Sequence, residues 1–347
     1  MKYTLLERVP DFDAHHIVSS IHDKKSGLRG FIAIHRFGRK KVAFGATRFV
    51  IYDSVLDAME DATRLSRLMT YKSALAGLSY GGAKGVIMKT KGKSYNKSAL
   101  FRVYARTVNM FGGHFITGTD AGVSDHDLSV MAKESPYMVG LKGDPAVFAA
   151  QGVFSGIHVC LQEVFGSNSL AERTIGIQGL GKLGIKLLEL VYPRAKEVFV
   201  ADVDRTRIRS AMRKFPRIRV INPRDIHRQK IDVFSPCALS NPINRKTITE
   251  LKAKIVAGGA NNQLEDERLG VMLHRLNILY APDYVINAGG LICVVDEYDH
   301  KSHRRSRVER KVAGIATTLK RIFEESQRRN RAPNIVADEM AKRLIND

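Results

Sequence analysis

Residues 174–188, TIGIQGLGKLGIKLL, lead from a short apolar strand pattern through a glycine-rich turn into an amphipathic helix pattern. Residues 198–201, VFVA, form a second strand pattern that ends at Asp202. The order of strand, turn, helix and strand is typical of a parallel sheet whose connecting helices lie on its faces. This segment therefore predicts that the second half of the chain folds as a doubly wound α/β domain.

The glycines of the turn fit the binding of a dinucleotide. Gly179 allows a tight turn, Gly181 lets the backbone approach a pyrophosphate, and Gly184 lets the helix pack closely on the strand. The N-terminus of the helix offers unpaired N–H groups to the same phosphates. Asp202 ends the next strand, where a carboxylate binds the ribose hydroxyls of the adenosine half. The alternative is a glycine-rich turn without a ligand.

The cofactor is predicted to be NAD, because the Asp202 carboxylate repels the 2′-phosphate of NADP. Arg205 and Arg207 follow directly and offer positive charge, so NADP stays as the less favoured alternative.

Length and composition indicate a two-domain globular protein, since 347 residues with 44% apolar content can bury a large core. No apolar run approaches the ~20 residues that cross a bilayer, and the N-terminus lacks the pattern of a secretion signal. We therefore expect a cytoplasmic protein without a membrane partner. The cysteines, Cys160, Cys237 and Cys293, lie far apart without a CxxC pair, which predicts buried thiols and no metal site.

The chain is strongly basic, because 56 Lys and Arg against 35 Asp and Glu give a net charge of +21. Such a charge permits contact with nucleic acid. The basic residues 300–331, however, also contain apolar residues at helical spacing, which places the charges on the solvated face of an amphipathic helix. These apolar residues are Val308, Val312, Ile315, Leu319 and Ile322. No nucleic-acid-binding motif is recognised, so nucleic acid is not favoured as a partner.

In the first half, strand patterns at residues 30–35, 42–51 and 86–88 alternate with helix patterns. The clearest helix pattern begins at Ser54 with the spacing of a capping box, and it leads to Lys72. The glycine-rich residues that follow place Lys84 before the next strand. Taken alone, this lysine would be the solvated tip of a loop.

Four segments together carry a family resemblance: TYKSALAGL (70–78) with GGAKG (81–85), GTDAG (118–122), IVAGGANNQL (255–264) and YAPDYVINAGG (280–290). They resemble the glutamate/leucine/phenylalanine/valine dehydrogenases, with the leucine branch nearest, over almost the whole chain. The resemblance implies a catalytic and oligomerisation domain of residues 1–140, to which residues 325–347 return. It also implies a Rossmann-like NAD-binding domain of residues 141–324, a substrate site between the two domains, and a homo-oligomer.

The implied chemistry is the reversible oxidative deamination of an amino acid. A hydride leaves the substrate Cα for NAD, and water adds to the resulting imine to release ammonia and a 2-oxo acid. Lys84 resembles the catalytic lysine, whose pKa is lowered by a closed cleft and by nearby positive charge. Lys72 resembles the lysine that pairs with the substrate carboxylate. Asp120 resembles the aspartate that exchanges protons with the substrate nitrogen; without the two lysines it would be read as a turn residue.

The resemblance also implies the residues around the two ligands. Asn262 and Asn287 offer amide groups to the nicotinamide ribose and the substrate, with a structural role in a turn as the alternative for each. The implied cofactor contacts are Gly179, Leu180, Gly181, Lys182, Leu183, Gly184, Asp202, Val203, Arg205, Cys237, Ala238, Ala260, Asn261, Asn262 and Asn287. The implied substrate contacts are Lys72, Phe44, Gly81, Gly82, Gly118, Asn262, Leu291 and Val294.

The substrate is predicted to be an apolar amino acid. Phe44 and Val294 stand where the glutamate branch has a lysine and a small hydroxyl residue, and an unpaired carboxylate buried there would be costly. Leu291 is also apolar and Gly118 leaves room, so leucine-like substrates come first and phenylalanine second. Plain core packing is the alternative role for Phe44 and Leu291.

One departure from the family pattern concerns the cofactor. Ala149 and Ala150 stand where a threonine usually bonds the nicotinamide amide. A catalytically degenerate member that binds a nucleotide or nucleic acid is therefore the alternative from another functional class.

Overall fold

The computed structural model describes residues 9, 11–38, 40–92, 94–238, 241–261 and 263–346. The chain divides into two compact units. The first unit comprises Met1–Gly143 and Val294–His303, and the second comprises Asp144–Cys293 and Arg304–Asp347. The sequence had placed this division after residue 140.

The first unit contains a mixed six-stranded sheet. Its strands are β1 (Ile17–Asp23), β2 (Leu28–Arg36), β3 (Ala43–Phe44), β4 (Thr47–Ile51), β5 (Gly81–Lys89) and β6 (Phe115–Ile116). They lie in the order β1-β2-β5-β3-β6, and β4 pairs with β5 beyond the end of β3. β1, β2 and β5 run antiparallel to one another in turn, whereas β3 and β4 pair parallel to β5.

Helices cover both faces of this sheet. They are α1 (Val55–Leu75), α2 (Lys97–Asn109) and α3 (Asp125–Ala132). The predicted capping box of α1 is present, since Ser54 and Asp57 bond each other's backbone N–H groups. α1 packs through Ala58 and Ala62 on Ala33 and Val86, whereas α2 and α3 bury the large aromatic core of the opposite face. That core includes Phe101, Tyr104 and Phe115.

The glycine-rich residues around Lys84 form a strand, which corrects the interpretation of this lysine as the tip of a loop. β5 begins at Gly81 and carries Lys84 in its middle, paired with Ala33 of β2. The glycines are needed because the strand is tightly enclosed. A Cβ at Gly82 would overlap the backbone N of Thr70 in α1, and one at Gly85 would overlap the Tyr104 hydroxyl.

The second unit contains a parallel six-stranded sheet. Its strands are β7 (Thr174–Gln178), β8 (Glu197–Ala201), β9 (Arg219–Val220), β10 (Val233–Pro236), β11 (Ile255–Val256) and β12 (Leu279–Tyr280). The order is β12-β11-β10-β7-β8-β9, which is the 3-2-1-4-5-6 order of a doubly wound dinucleotide-binding fold when β7 is counted first. The predicted fold class is confirmed, and the strand order reverses between β7 and β10.

Ten helices of the described chain precede, connect or follow these strands. They are α4 (Pro145–Phe165), α5 (Lys182–Val191), α6 (Arg205–Lys214), α7 (Thr247–Glu250), α8 (Arg268–Arg275), α9 (Asp283–Ile286), α10 (Gly289–His300), α11 (Arg305–Val312), α12 (Gly314–Arg329) and α13 (Pro333–Asn346). In the described residues, no helix is both long enough and apolar enough to span a membrane.

The basic C-terminal region forms two helices rather than one. α11 ends at Val312 and α12 begins at Gly314, and the five apolar residues that predicted an amphipathic helix are all buried.

The predicted return of residues 325–347 to the first unit is not observed. α13 packs on α8 and β12, and Asn334 Nδ2 donates to the Glu267 carbonyl at the start of α8 (3.1 Å). The segment that returns to the first unit is Val294–His303, which comprises the second part of α10 and the three residues after it. There Glu297 accepts hydrogen bonds of 3.2 Å from the N–H groups of Gly140, Leu141 and Lys142.

Candidate active site

Lys84 and Asp120 form a buried ion pair in the first unit. Lys84 Nζ donates to Asp120 Oδ2, and the two side chains are 3% and 10% exposed. Asp120 follows β6, and its backbone N–H donates to the Thr47 carbonyl (3.0 Å), which fixes it beside β4. The Asp120 Oδ1 atom accepts from the N–H of Ala121 (2.7 Å). The structure thus brings together the two residues that the sequence predicted as catalytic.

Three residues that the sequence analysis did not assign extend this pair into a network. Arg48 of β4 donates from Nε to Asp120 Oδ2 (3.2 Å) and from Nη1 to Asp61 Oδ2 (2.8 Å). Tyr52 donates its hydroxyl to the same Asp61 oxygen (2.6 Å). Positive and negative groups therefore alternate through the network, which is how buried charges are normally compensated.

Sequence signals for this network existed. Asp61 lies on the α1 face that also carries Ala58 and Ala62, and Arg48 lies in a strand of otherwise apolar or small residues. Opposite charges at two positions whose neighbours are buried predict an ion pair, because an uncompensated buried charge is costly.

The network sets the proton affinities of its members. Burial lowers the pKa of Lys84, and Arg48 lowers it further, while Asp120 acts in the opposite direction. Burial would raise the pKa of Asp120, but Lys84 and Arg48 outweigh it and hold that pKa well below its usual range. The predicted lowering of the lysine pKa agrees with this direction. Burial is the largest cause of this lowering, and Arg48 is a neighbouring cation that adds to it.

Lys72 and the glycines of β5 lie where α1 meets the sheet. Lys72 is buried in the last turn of α1. Gly81 and Gly82 are buried in β5, and Gly82 abuts the backbone of α1 at Thr70. The two predicted lysines are therefore carried by elements that pack directly on each other.

The other predicted substrate contacts are distributed over both units. Phe44 is fully buried in β3, with its ring edge-to-face against Tyr80 (4.7 Å between centroids) and Tyr298 (5.3 Å). Gly118 accepts a backbone hydrogen bond from Thr47 (2.9 Å). Val294 belongs to the first unit and is half-buried, whereas Leu291 belongs to the second unit and is buried. Asn262 lies outside the described residues.

The glycine turn of the second unit follows β7 at the point where the strand order reverses, which is the usual ligand position in such sheets. Gly179 has a φ of 98°, in the left-handed region that favours glycine. A Cβ at Gly184 would overlap the Gly179 carbonyl, so this glycine permits close packing of α5 on β7. A Cβ at Gly181 would meet just Arg207 Nη1, at 3.9 Å, among the described residues, so a ligand can approach there.

Asp202 ends β8 and faces the glycine turn. Its carboxylate accepts from the N–H of Leu180 (2.6 Å) and of Asp204 (2.7 Å) and is 3.6 Å from Arg207 Nη1. Val203 and Arg205 are exposed beside it, and Lys182 begins α5. The N-cap of α5 is Gly181, which has no side chain to occupy the first N–H groups of the helix. These residues fit the phosphates and adenosine ribose of a nicotinamide dinucleotide.

The remaining predicted cofactor contacts lie around the ends of neighbouring strands. A Cβ on Gly179 would contact Ala238, which follows β10. A Cβ on Gly259, which follows β11, would contact the Leu183 side chain. The backbone N–H of Cys237 donates to the Gln178 carbonyl (2.7 Å), which holds Cys237 beside the end of β7, and Ala260 is buried.

Asn287 lies near the same strand ends. Its Nδ2 donates to Asn261 Oδ1 (3.0 Å) and to the Gly259 carbonyl (3.2 Å). Asn287 Oδ1 has no hydrogen-bond partner among the described residues and is buried. An amide held in this way offers a fixed acceptor to a ligand.

A separate cavity of about 840 Å³ lies in the second unit among α4, α8, α12 and α13. Its lining includes His274, Arg275 and Arg331 but none of the predicted site residues. Across the described residues, no group of three or more His, Cys, Asp or Glu side chains is arranged to hold a metal ion.

Two family models match the chain. Residues 14–137 match the Glu/Leu/Phe/Val dehydrogenase dimerisation domain, and residues 200–342 match the glutamate/leucine/phenylalanine/valine dehydrogenase domain.

Individual proteins are similar over most of the chain. Leucine dehydrogenase of Geobacillus stearothermophilus is 38% identical over 329 residues, which cover 93% of this chain and 88% of that protein. Phenylalanine dehydrogenase of Lysinibacillus sphaericus is 38% identical over 322 residues, which cover 90% of this chain and 84% of that protein. The crystal structure of L-tryptophan dehydrogenase from Nostoc punctiforme superposes with a TM-score of 0.78 at 37% identity, covering 96% of each chain.

Proposed function

Because this chain belongs to the glutamate/leucine/phenylalanine/valine dehydrogenase family, we propose that it oxidatively deaminates a leucine-like L-amino acid with NAD as the hydride acceptor. The chain is an amino-acid dehydrogenase, an oxidoreductase that acts on the CH–NH2 group of its donor. The products are the 2-oxo acid and ammonia, and the reaction is reversible.

The buried Lys84–Asp120 pair is the observation that carries this proposal. Oxidation of the Cα–N bond gives an imine, and a water molecule must lose a proton as it attacks the imine carbon. Lys84 takes that proton, since a buried ammonium with a lowered pKa becomes a neutral amine more readily than a solvated one. Asp120, ionised and in contact with Lys84, exchanges protons with the substrate nitrogen.

The substrate and the dinucleotide are bound by other groups. Lys72 pairs with the substrate carboxylate, which leaves the amino group and Cα toward the reacting residues. The glycine turn, Asp202 and Asn287 hold the dinucleotide, whose nicotinamide supplies the hydride acceptor when it is bound. NAD is proposed over NADP because the Asp202 carboxylate opposes a 2′-phosphate.

The side-chain preference is proposed from apolar surroundings. Phe44 is fully buried and Leu291 is buried, so neither position offers a partner to a side-chain carboxylate, and glutamate is rejected. An aromatic amino acid is the second candidate. It is supported by the 38% identity to phenylalanine dehydrogenase, which equals the identity to leucine dehydrogenase.

One panel of assays tests the proposal. Leucine, valine, isoleucine, phenylalanine, tryptophan and glutamate are each supplied with NAD and with NADP, and the absorbance of the reduced nicotinamide is followed. We expect turnover with NAD and a branched aliphatic substrate, and none with glutamate. In Lys84→Ala, turnover falls by about 10²–10⁴-fold while calorimetry shows unchanged affinity for NAD. Absence of turnover with every amino acid would contradict the proposal.

Assembly is a separate proposal. The model that matches residues 14–137 describes a dimerisation domain, which supports a homo-oligomer of this chain. Gel filtration with light scattering measures the mass, and a monomer at assay concentration would contradict this proposal.

A further inference from the structure

The charged residues near Lys84 share one face of the first sheet. β4 pairs parallel with β5, with Arg48 opposite Val86, and paired residues point to the same side of a sheet. Val86 and Lys84 are two residues apart, so Lys84 and Arg48 both point to the α1 side. Asp61 comes from α1 itself. The sheet and the helix that covers it therefore direct these three charges into one buried layer.

Arg48 uses its planar guanidinium as a bridge. Its Nε bonds Asp120 and its Nη1 bonds Asp61, and the Arg48 side chain is 6% exposed. The two acceptors lie in different elements, one after β6 and one in α1. A lysine ammonium carries its charge at one point, whereas the arginine fork reaches two carboxylates with fixed geometry.

We propose that Arg48 is a positioning residue of the reaction, which holds the Asp120 carboxylate against Lys84 and is itself held in place by Asp61 and Tyr52. The inference rests on the proposed function for the roles of Lys84 and Asp120. The geometry that supports it is the shared oxygen: Asp120 Oδ2 accepts from both Lys84 Nζ and Arg48 Nε, while Asp61 Oδ2 accepts from both Arg48 and Tyr52. Each carboxylate is thus fixed from two sides.

The network that contains Lys84 draws charged and titratable groups from several elements. β4 contributes Arg48, the segment after it contributes Tyr52, and the segment after β6 contributes Asp120. α1 contributes Asp61 and Arg64, whose Nη2 bonds Asp61 Oδ1 at 3.2 Å, and it carries the buried Lys72 in its last turn.

The proposal predicts shifts of opposite sign from two substitutions. Arg48→Gln removes a cation near Lys84 and leaves Asp120 to that lysine alone, so the amine holds its proton more tightly and its pKa rises. Asp61→Asn removes an anion and leaves Arg48 in place, so the pKa of Lys84 falls. If Arg48 and Asp61 served only in packing, both substitutions would loosen the site and shift the pKa of Lys84 in the same direction, or neither would shift it.

Two readouts measure these shifts. The first is the pH profile of kcat/KM with the best substrate of the panel, in which the limb set by Lys84 moves up in Arg48→Gln and down in Asp61→Asn. The second is the ¹⁵Nζ resonance of Lys84 in lysine-labelled protein, assigned with Lys84→Met, which gives the same pKa without turnover. The NMR readout keeps the inference testable even when the proposed function fails.

Two further variants complete the design. Arg48→Lys retains the positive charge but cannot bridge both carboxylates. The pKa of Lys84 therefore returns toward the wild-type value, while kcat is reduced, as it is in Arg48→Gln, because Asp120 is no longer held in position. Arg106→Gln is the control. It removes the hydrogen bond of 2.9 Å from Arg106 in α2 to the Glu134 carboxylate, which follows α3, and it should leave the pKa of Lys84 and kcat unchanged. Urea unfolding and NAD calorimetry confirm that each variant is folded. Unshifted profiles and resonances in both folded Arg48→Gln and Asp61→Asn would overturn the inference.

Discussion

The two candidate ligand regions are built from different materials. In the first unit, the Lys84–Asp120 pair consists of side-chain charges that are buried and compensated by Arg48 and Asp61. In the second unit, the glycine turn consists mainly of backbone, and the Asp202 carboxylate bonds its N–H at Leu180. The first region depends on charge balance, and the second depends on the absence of side-chain volume. Matched substitutions should therefore have unequal effects in the two regions.

The largest effect is expected from Asp120→Asn. The amide cannot compensate two buried cations, so Lys84 and Arg48 repel each other across it. We expect a loss of about 3–5 kcal/mol in the free energy of unfolding, measured by urea denaturation, together with loss of turnover. A variant as stable as the wild type would show that the first region does not depend on charge balance.

Two alanine substitutions in the glycine turn come next. Gly184→Ala places a Cβ against the Gly179 carbonyl, so the free energy of unfolding falls by about 1–3 kcal/mol. Gly181→Ala meets open space on the protein side, so stability is kept while calorimetry shows weaker NAD binding. Equal stability losses in the two variants would contradict the separate roles of these glycines.

A smaller effect is expected from acid. Burial, with help from His15 and Arg36, lowers the pKa of His35 to about 3, compared with 6.5 for an exposed histidine. His35 is therefore neutral in the folded protein. Above pH 6.5 it is neutral in the unfolded chain as well, so its burial does not reduce the free energy of unfolding there. As the pH falls toward about 3, the unfolded chain binds a proton that the folded chain refuses, and stability declines.

Urea denaturation at pH 7.5 and pH 5 measures this loss, which is about 2 kcal/mol for one such histidine. The control is His35→Gln, which keeps hydrogen-bonding groups but cannot titrate, and its pH dependence should be weaker by that amount. If the free energy of unfolding of His35→Gln depends on pH as strongly as that of the wild type, another group causes the acid sensitivity.

The smallest effect on stability is expected from Asp202→Asn, the counterpart of Asp120→Asn. The amide oxygen keeps one of the two hydrogen bonds from the N–H groups of Leu180 and Asp204 and the amide NH2 loses the other, so the free energy of unfolding falls by about 1 kcal/mol. The repulsion of a 2′-phosphate is lost while Arg207 remains, and the kcat/KM ratio of NADP to NAD rises by up to ~10-fold. Asp204→Asn, which keeps the N-cap of α6, is the control and should leave that ratio unchanged.

The sequence predicted the second region better than the first, for a physical reason. A glycine turn is local: strand, turn, helix and the acidic end of the next strand are close together along the chain, and their order determined the sheet type. Charge compensation is not local. Arg48 and Asp120 lie far apart along the chain, and their positions in the sequence do not indicate that Arg48 Nε and Lys84 Nζ bond the same oxygen of Asp120.

The enclosed strand around Lys84 was missed for a related reason. Glycine clusters are common in turns, and a strand of glycines forms just where neighbouring backbones approach closely, here Thr70 of α1. The placement of residues 325–347 was missed because an amphipathic helix pattern shows that a face is buried but does not name the partner surface.

Glu297 adds a consequence for how the molecule is connected. The chain crosses between the units at residues 143–144, 293–294 and 303–304. Glu297 lies in α10 just after the second crossing, and its carboxylate bonds three N–H groups just before the first. Within the first unit, this one side chain therefore clamps the residues that precede the first crossing to those that follow the second. A glutamine there would offer one carbonyl oxygen and an NH2 group to three donors, and the clamp would loosen.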